Sequence, residues 1–258
     1  MKQSANPSSL GRWSRRLLAA ILLGGQVLVH LLMGRIHRRN TQEQMQVVGP
    51  GSLMIVLITA AFIGMVFTIQ VSREFIRLGA GSAIGGVLAI ALSRELAPLI
   101  SAIILAGRVG SGFAAEIGTM QVTEQIDALY MLKTDPIDYL VIPRVIACSV
   151  MLPILSILSF LTGMTGGVLV AGALFGISRR IFLDSARNFL VPWDITSGLI
   201  KCIVFGALIA IIGSSWGLTT TGGAKGVGQS TTTAVVTALL AIFISNFFMS
   251  WLMFRVLG

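Results

Sequence analysis

Long apolar stretches alternate with short polar segments along this chain, and the alternation predicts membrane-spanning helices. About 18 or more apolar residues in succession are typical of a transmembrane helix, because a helix of about 20 residues crosses the hydrocarbon core of a bilayer. Five stretches are this long, at about 53–71, 82–107, 144–176, 196–217 and 231–255. We therefore predict an all-α membrane protein with five transmembrane helices.

A further apolar stretch, residues 17–33, lies near the start of the chain and has arginines on both sides. Positive residues collect on the cytoplasmic side of a membrane. A helix with two basic ends therefore fits better along the cytoplasmic interface than across the bilayer. We predict an N-terminal interfacial helix here, and a sixth crossing stays open as the alternative.

The sequence Gly49-Pro50-Gly51 predicts a break after this region, with Ser52 as the N-cap of the next helix. The break divides one predicted domain, 1–258, into two parts. These are a cytoplasmic N-terminus with its interfacial helix, 1–48, and a transmembrane core, 52–257. Basic residues are more frequent on the segments that share a side with the N-terminus, which predicts a cytoplasmic N-terminus and an external C-terminus.

The composition supports a membrane protein over a soluble one. The chain is 55% hydrophobic and 11% charged, whereas soluble domains have about 25% charged residues. The net charge of +9 would suggest nucleic acid in a soluble protein. Here the basic residues lie beside apolar stretches, so membrane topology accounts for them and no nucleic-acid partner is expected.

Glycines recur at four-residue spacing within the predicted spans, as in Gly81/Gly85, Gly163/Gly167 and Gly172/Gly176. Small residues at this spacing allow helix backbones to approach closely in lipid. The spacing favours packing within one chain, and a seam between two copies is the alternative.

Arg94 and Glu95 form a charged pair inside the second predicted span. By insertion scales an arginine at a helix centre costs about 2.5–3.5 kcal/mol, so such residues usually face a cavity and serve a function. Pro98 cannot donate to the carbonyl of Arg94, which predicts a kink and a free acceptor beside the two charges. An ion pair that only locks two helices together is the structural alternative.

The first span carries large flexible and aromatic side chains on overlapping faces, followed by polar residues near its end. These are Phe62, Met65, Phe67, Gln70, Glu74, Phe75 and Leu78. Such a surface could hold acyl chains with a headgroup near the polar end. Ordinary packing explains the apolar members equally well.

The segment 113–136 is polar enough to lie outside the bilayer, and its pattern predicts one cytoplasmic helix between spans two and three. Apolar residues share one side, and acidic residues offer contacts to a partner. The candidate docking residues are Glu116, Met120, Glu124, Asp127, Leu129 and Tyr130. Asp135 is a good N-cap for the next helix, with Pro136 at its first position. A solvated connector is the alternative to a docking helix.

Several kinds of chemistry are not expected. No G-x-x-x-x-G-K-[ST] motif occurs, so the chain is not expected to hydrolyse ATP itself. His30 and His37 have no matching acid or nucleophile cluster in the sequence, which argues against an intramembrane hydrolase or a metal centre. Cys148 and Cys202 lie in apolar stretches and are expected to be small buried residues. We expect no cofactor on this chain.

The run RELAPLISAIILAGRVGSGFAAEIGTMQVTEQIDALYMLKTDP, residues 94–136, resembles the MlaE/YrbE permease family of the Mla-type, MCE-associated lipid transporters. The elements of the match are R-E-L-x-P, A-G-R-x-G-S, A-E-I-G-x-M, T-E-Q and D-P. The similarity extends through FIGMVFTIQ in the first span and, more loosely, to the C-terminus. This sequence carries charged residues just after the first span, at Arg73, Glu74 and Arg77, where relatives can be more apolar. The difference affects the headgroup environment and therefore the expected lipid preference.

The resemblance implies a homodimeric permease that moves phospholipid or a related lipid between membranes. ATP would be hydrolysed by a separate ABC ATPase, and an MCE-domain lipid-binding protein would sit on the far side. It also implies that 113–134 is a coupling helix on the ATPase, and that lipid lies near Arg94 and Glu95. The expected location is the bacterial inner membrane, or a plastid inner envelope. The alternative function is an ion-coupled secondary transporter that uses the Arg94-Glu95 pair.

Overall fold

The computed structural model describes residues 9–32 and 37–257. Within these residues the secondary structure is helical and contains no strand. The ten α-helices are α1 (Ser9–Leu32), α2 (Arg38–Arg77), α3 (Ile84–Ala91), α4 (Ala97–Leu105), α5 (Ser111–Val122), α6 (Gln125–Met131), α7 (Ile142–Phe175), α8 (Arg179–Phe189), α9 (Pro192–Leu218) and α10 (Gly223–Leu257). The predicted all-α fold is confirmed.

Three wide turns of π-helix join some of these helices without a break. They are Leu92–Leu96 between α3 and α4, Ala106–Gly110 between α4 and α5, and Ile137–Val141 before α7. A π-turn holds one residue more than an α-turn and is often found where a helix serves a function. A 3₁₀ turn, Gly81–Ala83, precedes α3. The helix path is thus continuous from 81 to 122 and from 137 to 175.

Five of the described helices are long and apolar enough to cross a membrane. They are Arg38–Arg77, Gly81–Val122, Ile137–Phe175, Pro192–Leu218 and Gly223–Arg255. This confirms the five predicted spans, and all five helices begin before the apolar stretches read from the sequence. The apolar part of α1, Arg16–His30, is a shorter helix, so the interfacial course of α1 stays a prediction.

The predicted break at Gly49-Pro50-Gly51 is wrong. α2 runs through all three residues, and Ser52 is a fully buried residue inside the helix rather than its N-cap. Gly49 has a packing role, because a Cβ there would lie 2.0 Å from Cε of Met151 on α7. Pro50 is exposed, so its ring and its missing N–H are accommodated on the open side of the helix.

The prediction of one continuous helix over 113–136 is also wrong. α5 ends at Val122, and α6 is a separate helix of seven residues. The break lies at Thr123 and Glu124, where Glu124 adopts a left-handed conformation with φ of 61°. Non-glycine residues rarely adopt positive φ, so nothing in the local composition signals this turn.

The predicted helix start at Asp135 is confirmed. The Asp135 side chain accepts a hydrogen bond from the backbone N–H of Ile137 at 2.9 Å, and its carbonyl accepts from Tyr139 at 3.1 Å. Asp135 therefore caps the wide turn that leads into α7, with Pro136 next in the chain.

The chain packs as two compact units, each made of three segments. The first unit is Met1–Gln44, Ala106–Ala147 and Ala207–Leu240, and the second is Met45–Leu105, Cys148–Gly206 and Ala241–Gly258. The second unit has a core built from α3, α7 and α8. Its buried members are Ile84, Leu88, Ala89, Leu92, Met164, Ala171, Phe182 and Ala186. The predicted single domain over 1–258 stays a prediction.

Helix α8 was not predicted from the sequence, which showed only a polar segment at 177–195. Its basic residues Arg179, Arg180 and Arg187 are exposed, whereas Phe182 and Ala186 are buried against α3 and α7. The Ser178 hydroxyl accepts a hydrogen bond from the N–H of Ile181 and caps the helix. An amphipathic surface helix of this kind is short, so hydropathy does not reveal it.

Three of the six repeated glycines, Gly85, Gly163 and Gly167, pack helices within the chain. A Cβ on Gly85 would lie 2.0 Å from the carbonyl oxygen of Phe182, and one on Gly167 would lie 2.3 Å from Cδ2 of Leu88. Gly163 meets Gly64, whose own Cβ would lie 2.0 Å from the Gly163 carbonyl oxygen. Gly176 instead ends α7 with a φ of 65°. These contacts support intrachain packing, and the seam between copies stays untested.

Candidate functional site

A long apolar groove runs along α2 in the second unit. Its volume is about 700 Å³, and it is lined by Ile58, Thr59, Phe62, Ile63, Val66, Phe67, Gln70, Val71 and Leu96. The groove follows one face of the helix, and the lining is almost entirely hydrocarbon. Such a surface within a membrane span suits an elongated apolar ligand.

The groove takes up three of the seven side chains predicted on the first span. Phe62, which is 62% exposed, lies on its wall together with Phe67 and Gln70. Phe67 also packs against the core of the second unit. These three side chains therefore lie at the groove, and their contact with a substrate stays a prediction.

The other four predicted side chains lie elsewhere. Met65 faces α7, because a Cβ on Gly166 would lie 3.1 Å from its Cγ. Phe75 packs against the core of the second unit. Glu74 and Leu78 are exposed near the end of α2, where Glu74 accepts a hydrogen bond from Arg77 at 3.3 Å. None of the four lines the groove.

Arg94 and Glu95 do not pair with each other as the sequence suggested. The Arg94 Nε lies 2.6 Å from Oδ1 of Asp194, and Glu95 Oε1 lies 2.6 Å from the Nζ of Lys201. Both partners are on α9, about a hundred residues away in the sequence. The two charges therefore connect α9 to the turn between α3 and α4.

Asp194 is a buried anchor at the start of α9, with 1% of its surface exposed. Its second carboxylate oxygen accepts a hydrogen bond from the N–H of Val191 at 3.0 Å. An acidic residue in the first turn of a helix is stabilised by the helix dipole. Asp194 thus holds the guanidinium of Arg94, which is 52% exposed, at the surface of a pocket.

Lys201 is a buried cation within α9. It is 2% exposed, in the interior of α9. Its ammonium group donates to Glu95 at 2.6 Å, to the carbonyl oxygen of Arg94 at 3.0 Å and to the hydroxyl of Ser250 at 2.8 Å. Three donors with three acceptors leave the buried cation fully hydrogen-bonded.

Helix α10 completes this cluster around Glu95. The Ser250 hydroxyl donates to Oε1 of Glu95 at 2.8 Å, and the Asn246 amide donates to Oε2 at 2.9 Å. The sequence missed Asp194, Lys201, Asn246 and Ser250 as members of the site. In the sequence these four residues are recognisable only as polar residues inside or beside an apolar stretch. That pattern does not show which residues are in contact.

The free acceptor predicted beside Pro98 is confirmed. Because Pro98 has no N–H, the Arg94 carbonyl is available, and it accepts the hydrogen bond from Lys201. The backbone widens into the π-turn here, with the N–H of Ala97 bonded to the carbonyl of Leu92 five residues earlier. The free carbonyl of the irregular backbone and the buried ammonium group of Lys201 therefore satisfy each other's hydrogen-bonding needs.

A polar pocket of about 410 Å³ opens at this cluster. It is lined by Arg94, Glu95, Trp193, Ser197, Lys201, Ser250, Met253 and Phe254. The four formal charges of Arg94, Glu95, Asp194 and Lys201 cancel, and the half-exposed Arg94 and Glu95 reach the pocket. The pocket can thus offer both a cation and an anion to a polar ligand.

The second predicted site, on α5 and α6, lies in the first unit. Glu124, Asp127 and Tyr130 are exposed, and Met120 and Leu129 are partly buried. The neighbouring Met131 and Leu132 are 87% and 74% exposed. Large apolar side chains next to exposed acids form a surface suited to a protein partner. Glu116 differs from the others, because it forms an ion pair with Arg144 at 2.8 Å.

The expectation that His30 lacks an acidic partner is wrong. Its Nδ1 lies 2.5 Å from Oδ1 of Asp138, and Asp135 is also close. This contact ties α1 to the turn before α7. At the other end of α1, Arg16 donates to the carbonyl of Thr219 at 3.1 Å. The sequence separation of 108 residues between His30 and Asp138 concealed the pair.

Comparison with known proteins places these features in a family. Residues 41–252 match the family described as Permease MlaE. The chain belongs to the MlaE permease family.

Named relatives agree with this membership over nearly the whole chain. A probable ABC transporter permease protein of Synechocystis sp. is 65% identical over 258 residues, which is 100% of this chain and 98% of that protein. The chloroplastic protein Trigalactosyldiacylglycerol 1 of Arabidopsis thaliana is 54% identical, covering 94% of this chain and 69% of its own length. A probable ABC transporter permease protein of Pyropia yezoensis is 49% identical, covering 96% and 95%.

The family resemblance of residues 94–136 is thereby confirmed. The chain is a multi-pass membrane protein of the MlaE permease family, and its relatives include proteins named as probable ABC transporter permeases. Its apolar groove and its charge cluster both lie in the second unit.

Proposed function

We propose that this MlaE-family chain is the permease subunit of an ABC transporter that moves phospholipid or a related lipid, driven by ATP hydrolysed on a separate subunit. The observation that carries the proposal is the groove on α2, because its length and apolar lining suit an acyl chain. One relative is named for a galactolipid, which supports a lipid substrate for the group.

The charge cluster supplies a place for the polar part of such a lipid. Leu96 lines the apolar groove, and the preceding residues Arg94 and Glu95 line the polar pocket. A guanidinium at 52% exposure can bind a phosphate through two parallel hydrogen bonds. We propose that Phe62, Phe67 and Gln70 contact acyl chains and that Arg94 and Glu95 contact the headgroup. The predicted side chains that do not line the groove would affect lipid binding indirectly, through the shape of α2 and of its end. They are Met65, Glu74, Phe75 and Leu78.

The exposed surface of α5 and α6 is proposed as the site of the ATPase partner. Glu124 and Asp127 offer charge, and Tyr130 offers an aromatic side chain of the type enriched at protein interfaces. Met120 and Leu129 contribute from the partly buried side. We propose that Glu116 serves this site through its ion pair rather than by direct contact.

The family resemblance further supports a homodimer and an MCE-domain lipid-binding partner on the external side. The same resemblance supports a cytoplasmic N-terminus in a bacterial inner membrane or a plastid inner envelope. Relatives in Synechocystis and in the Arabidopsis chloroplast fit both locations.

Reconstitution with the ATPase tests the proposal. The chain and its ATPase are placed in donor vesicles that contain fluorescent phospholipid, and transfer to acceptor membranes is followed with ATP and without it. We expect transfer only with ATP and the ATPase, and we expect phospholipid in the mass spectrum of the purified complex. Transport by the chain alone under an ion gradient would instead support the alternative, an ion-coupled secondary transporter that uses Arg94 and Glu95.

Two truncations separate the groove from the rest of α2. Phe62→Ala removes a wall of the groove, whereas Met54→Ala removes a side chain that is 69% exposed on the same helix outside it. We expect slower lipid transfer for the first variant and wild-type transfer for the second. Equal rates for both variants would remove the groove from the lipid path.

A further inference from the structure

Arg144 is a buried cation at the start of α7 whose role is not explained by the groove or by the charge cluster. It is the third residue of the helix, and only 2% of its surface is exposed. Burying a guanidinium is costly unless its hydrogen bonds are satisfied. Nε of Arg144 has no hydrogen-bond partner among the described residues, so the contacts of the other two guanidinium nitrogens and of the guanidinium plane must offset the cost of burial.

Two of these contacts come from one face of α5. The NH2 group of Arg144 lies 2.8 Å from Oε2 of Glu116, and its guanidinium carbon lies 5.3 Å from the centre of the Phe113 ring. Phe113 and Glu116 are three residues apart and therefore neighbours on the helix surface. The ring offers a cation–π contact and the carboxylate an ion pair.

The third contact is local to α7. The NH1 group of Arg144 donates to the carbonyl of Leu140 at 2.7 Å, in the wide turn Ile137–Val141. The guanidinium is thus held between α5 and the first turn of α7. Separation of the two helices would leave the buried guanidinium without its carboxylate partner, which is strongly unfavourable.

The chain segment between α5 and α7 connects the two helices less directly than the contacts of Arg144 do. It contains the left-handed turn at Glu124, the short helix α6 and a second left-handed residue, Lys133, with φ of 55°. A displacement of α5 or α6 would be transmitted to α7 along the chain only after the backbone of these turns had changed conformation. The Arg144–Glu116 contact is a direct connection between the two helices.

We propose that Arg144 is a positioning residue that makes α5 and the start of α7 move as one body when the ATPase acts on α5 and α6. This rests on the proposed function and adds the route of the motion. Because α5 continues the second span and α7 forms the third, one movement at the ATPase surface changes both spans together. Glu116 is then part of the transmission and not part of the docking surface.

The test measures coupling, which a merely structural role would not alter. Lipid transfer and ATP hydrolysis are measured on the same assembled complex, carrying Arg144→Met or Glu116→Gln. We expect both variants to keep ATP hydrolysis while lipid moved per ATP falls about tenfold, the size of effect typical of residues that link two sites. Arg144→Lys keeps the charge and is expected to lie between.

Glu43→Gln is the matched control. Glu43 lines the same small pocket as Glu116 and Arg144, but its ion pair is with Arg39 on its own helix. Its ratio of lipid to ATP should match the wild type. An unchanged ratio for Glu116→Gln, or an equal fall for Glu43→Gln, would overturn the proposal. If Arg144→Met does not fold, Glu116→Gln still tests the proposal. The Glu116 side chain is 55% exposed, so its substitution is expected to leave the fold intact.

Hydrogen exchange on the full complex gives an answer that does not depend on lipid transfer. On nucleotide binding, the amides of α5 and of the first turns of α7 should change protection together in the wild type, and only those of α5 should change in Glu116→Gln. Independent changes in the wild type would refute the connection. If the amides of α5 and α7 change protection together but ATP-driven lipid transfer fails, the proposed function is refuted and the connection through Arg144 is not.

Discussion

Lys201 shows how this chain keeps a charge inside a span. Its ammonium group has three donors, and each is used by a group of the protein on the turn after α3 or on α10. Glu95 has the complementary role, with bonds from Lys201, Ser250 and Asn246. The pair therefore fixes three parts of the second unit around one point.

We expect Lys201→Met to destabilise the protein by about 2 kcal/mol. Removal of one partner from a buried pair costs about 3–5 kcal/mol, and the value is lowered here because Glu95 is 40% exposed. Thermal unfolding of the purified protein in detergent measures the change. Lys225→Met, at an exposed lysine near the start of α10, is the control and should leave the midpoint unchanged.

The double variant Lys201→Met with Glu95→Gln should be more stable than Lys201→Met alone. Without the carboxylate no unpaired charge remains, and the amide can still bond to Asn246 or Ser250. A double variant that loses the sum of the two single effects would show that the two side chains do not act as a pair.

At this scale the sequence revealed the charges but not their partners. Arg94 and Glu95 stand out because a charge in an apolar stretch needs a reason. Their contacts, however, are Asp194 and Lys201 on another helix rather than each other. Tertiary pairing depends on how helices cross, and the spacing of residues along one helix carries no information about it.

The crossing of α2 and α7 depends on the absence of a side chain at Gly64. A Cβ there would lie 2.0 Å from the carbonyl oxygen of Gly163. We expect Gly64→Ala to push the two helices apart and to cost about 1–3 kcal/mol or more, as overpacking usually does. The measurement is again the thermal midpoint in detergent.

Gly25→Ala is the matched control for this prediction. Gly25 lies inside α1 with open space around its Cα, so a methyl group meets nothing. Alanine favours a helix over glycine by about 1 kcal/mol, so this variant should be neutral or slightly more stable. Equal loss of stability in both variants would mean that helix packing at Gly64 is not the cause.

Charge reversal on the α5–α6 surface tests the docking of the ATPase. We expect Glu124→Lys to reduce recovery of the ATPase with the tagged permease, because a basic side chain replaces an exposed acidic one at the proposed interface. Lysine faces the same left-handed backbone as glutamate, so the turn itself is little changed. Asp184→Lys, on the exposed side of α8, is the control. Full recovery with Glu124→Lys would contradict the docking site.

Elements were predictable where hydrophobicity alone decides them, and less so elsewhere. The five spans followed from apolar length. Gly49-Pro50-Gly51 misled because glycine and proline mark turns in water, whereas in a membrane span they can serve close packing. The turn at Glu124 places a glutamate in a left-handed backbone conformation that no local pattern marks, and the helix α8 is too short and too polar for hydropathy to reveal it.

Five crossings place the two ends of the transmembrane region on opposite sides of the membrane. Cysteines introduced at Ser14, Arg39 and Arg255 can be tested with a membrane-impermeant maleimide in sealed vesicles. We expect Ser14 and Arg39 to react from one side and Arg255 from the other. The native Cys148 and Cys202 are fully buried and should give little background. Reaction of Ser14 and Arg39 from opposite sides would mean that α1 also crosses.

For the whole molecule, different conclusions came from different sources. Composition and apolar length were enough to establish a multi-pass membrane protein. The resemblance of residues 94–136 led to the family, which the match over 41–252 confirmed. The lipid and the ATPase were expected from that resemblance alone, because an apolar face on Phe62 and Phe67 would look the same in ordinary packing.

The wide turn at Leu92–Leu96 also bears on how this region can change by insertion and deletion. Such a turn holds one residue more than an α-turn, so the helix after it is rotated by about 100° relative to a regular helix. Deletion of one residue would restore a regular helix but would rotate Arg94 and Glu95 relative to Pro98. The segment is equivalent to a regular helix with one residue inserted, and a variant that lacks this residue is expected to lose the Lys201 contact.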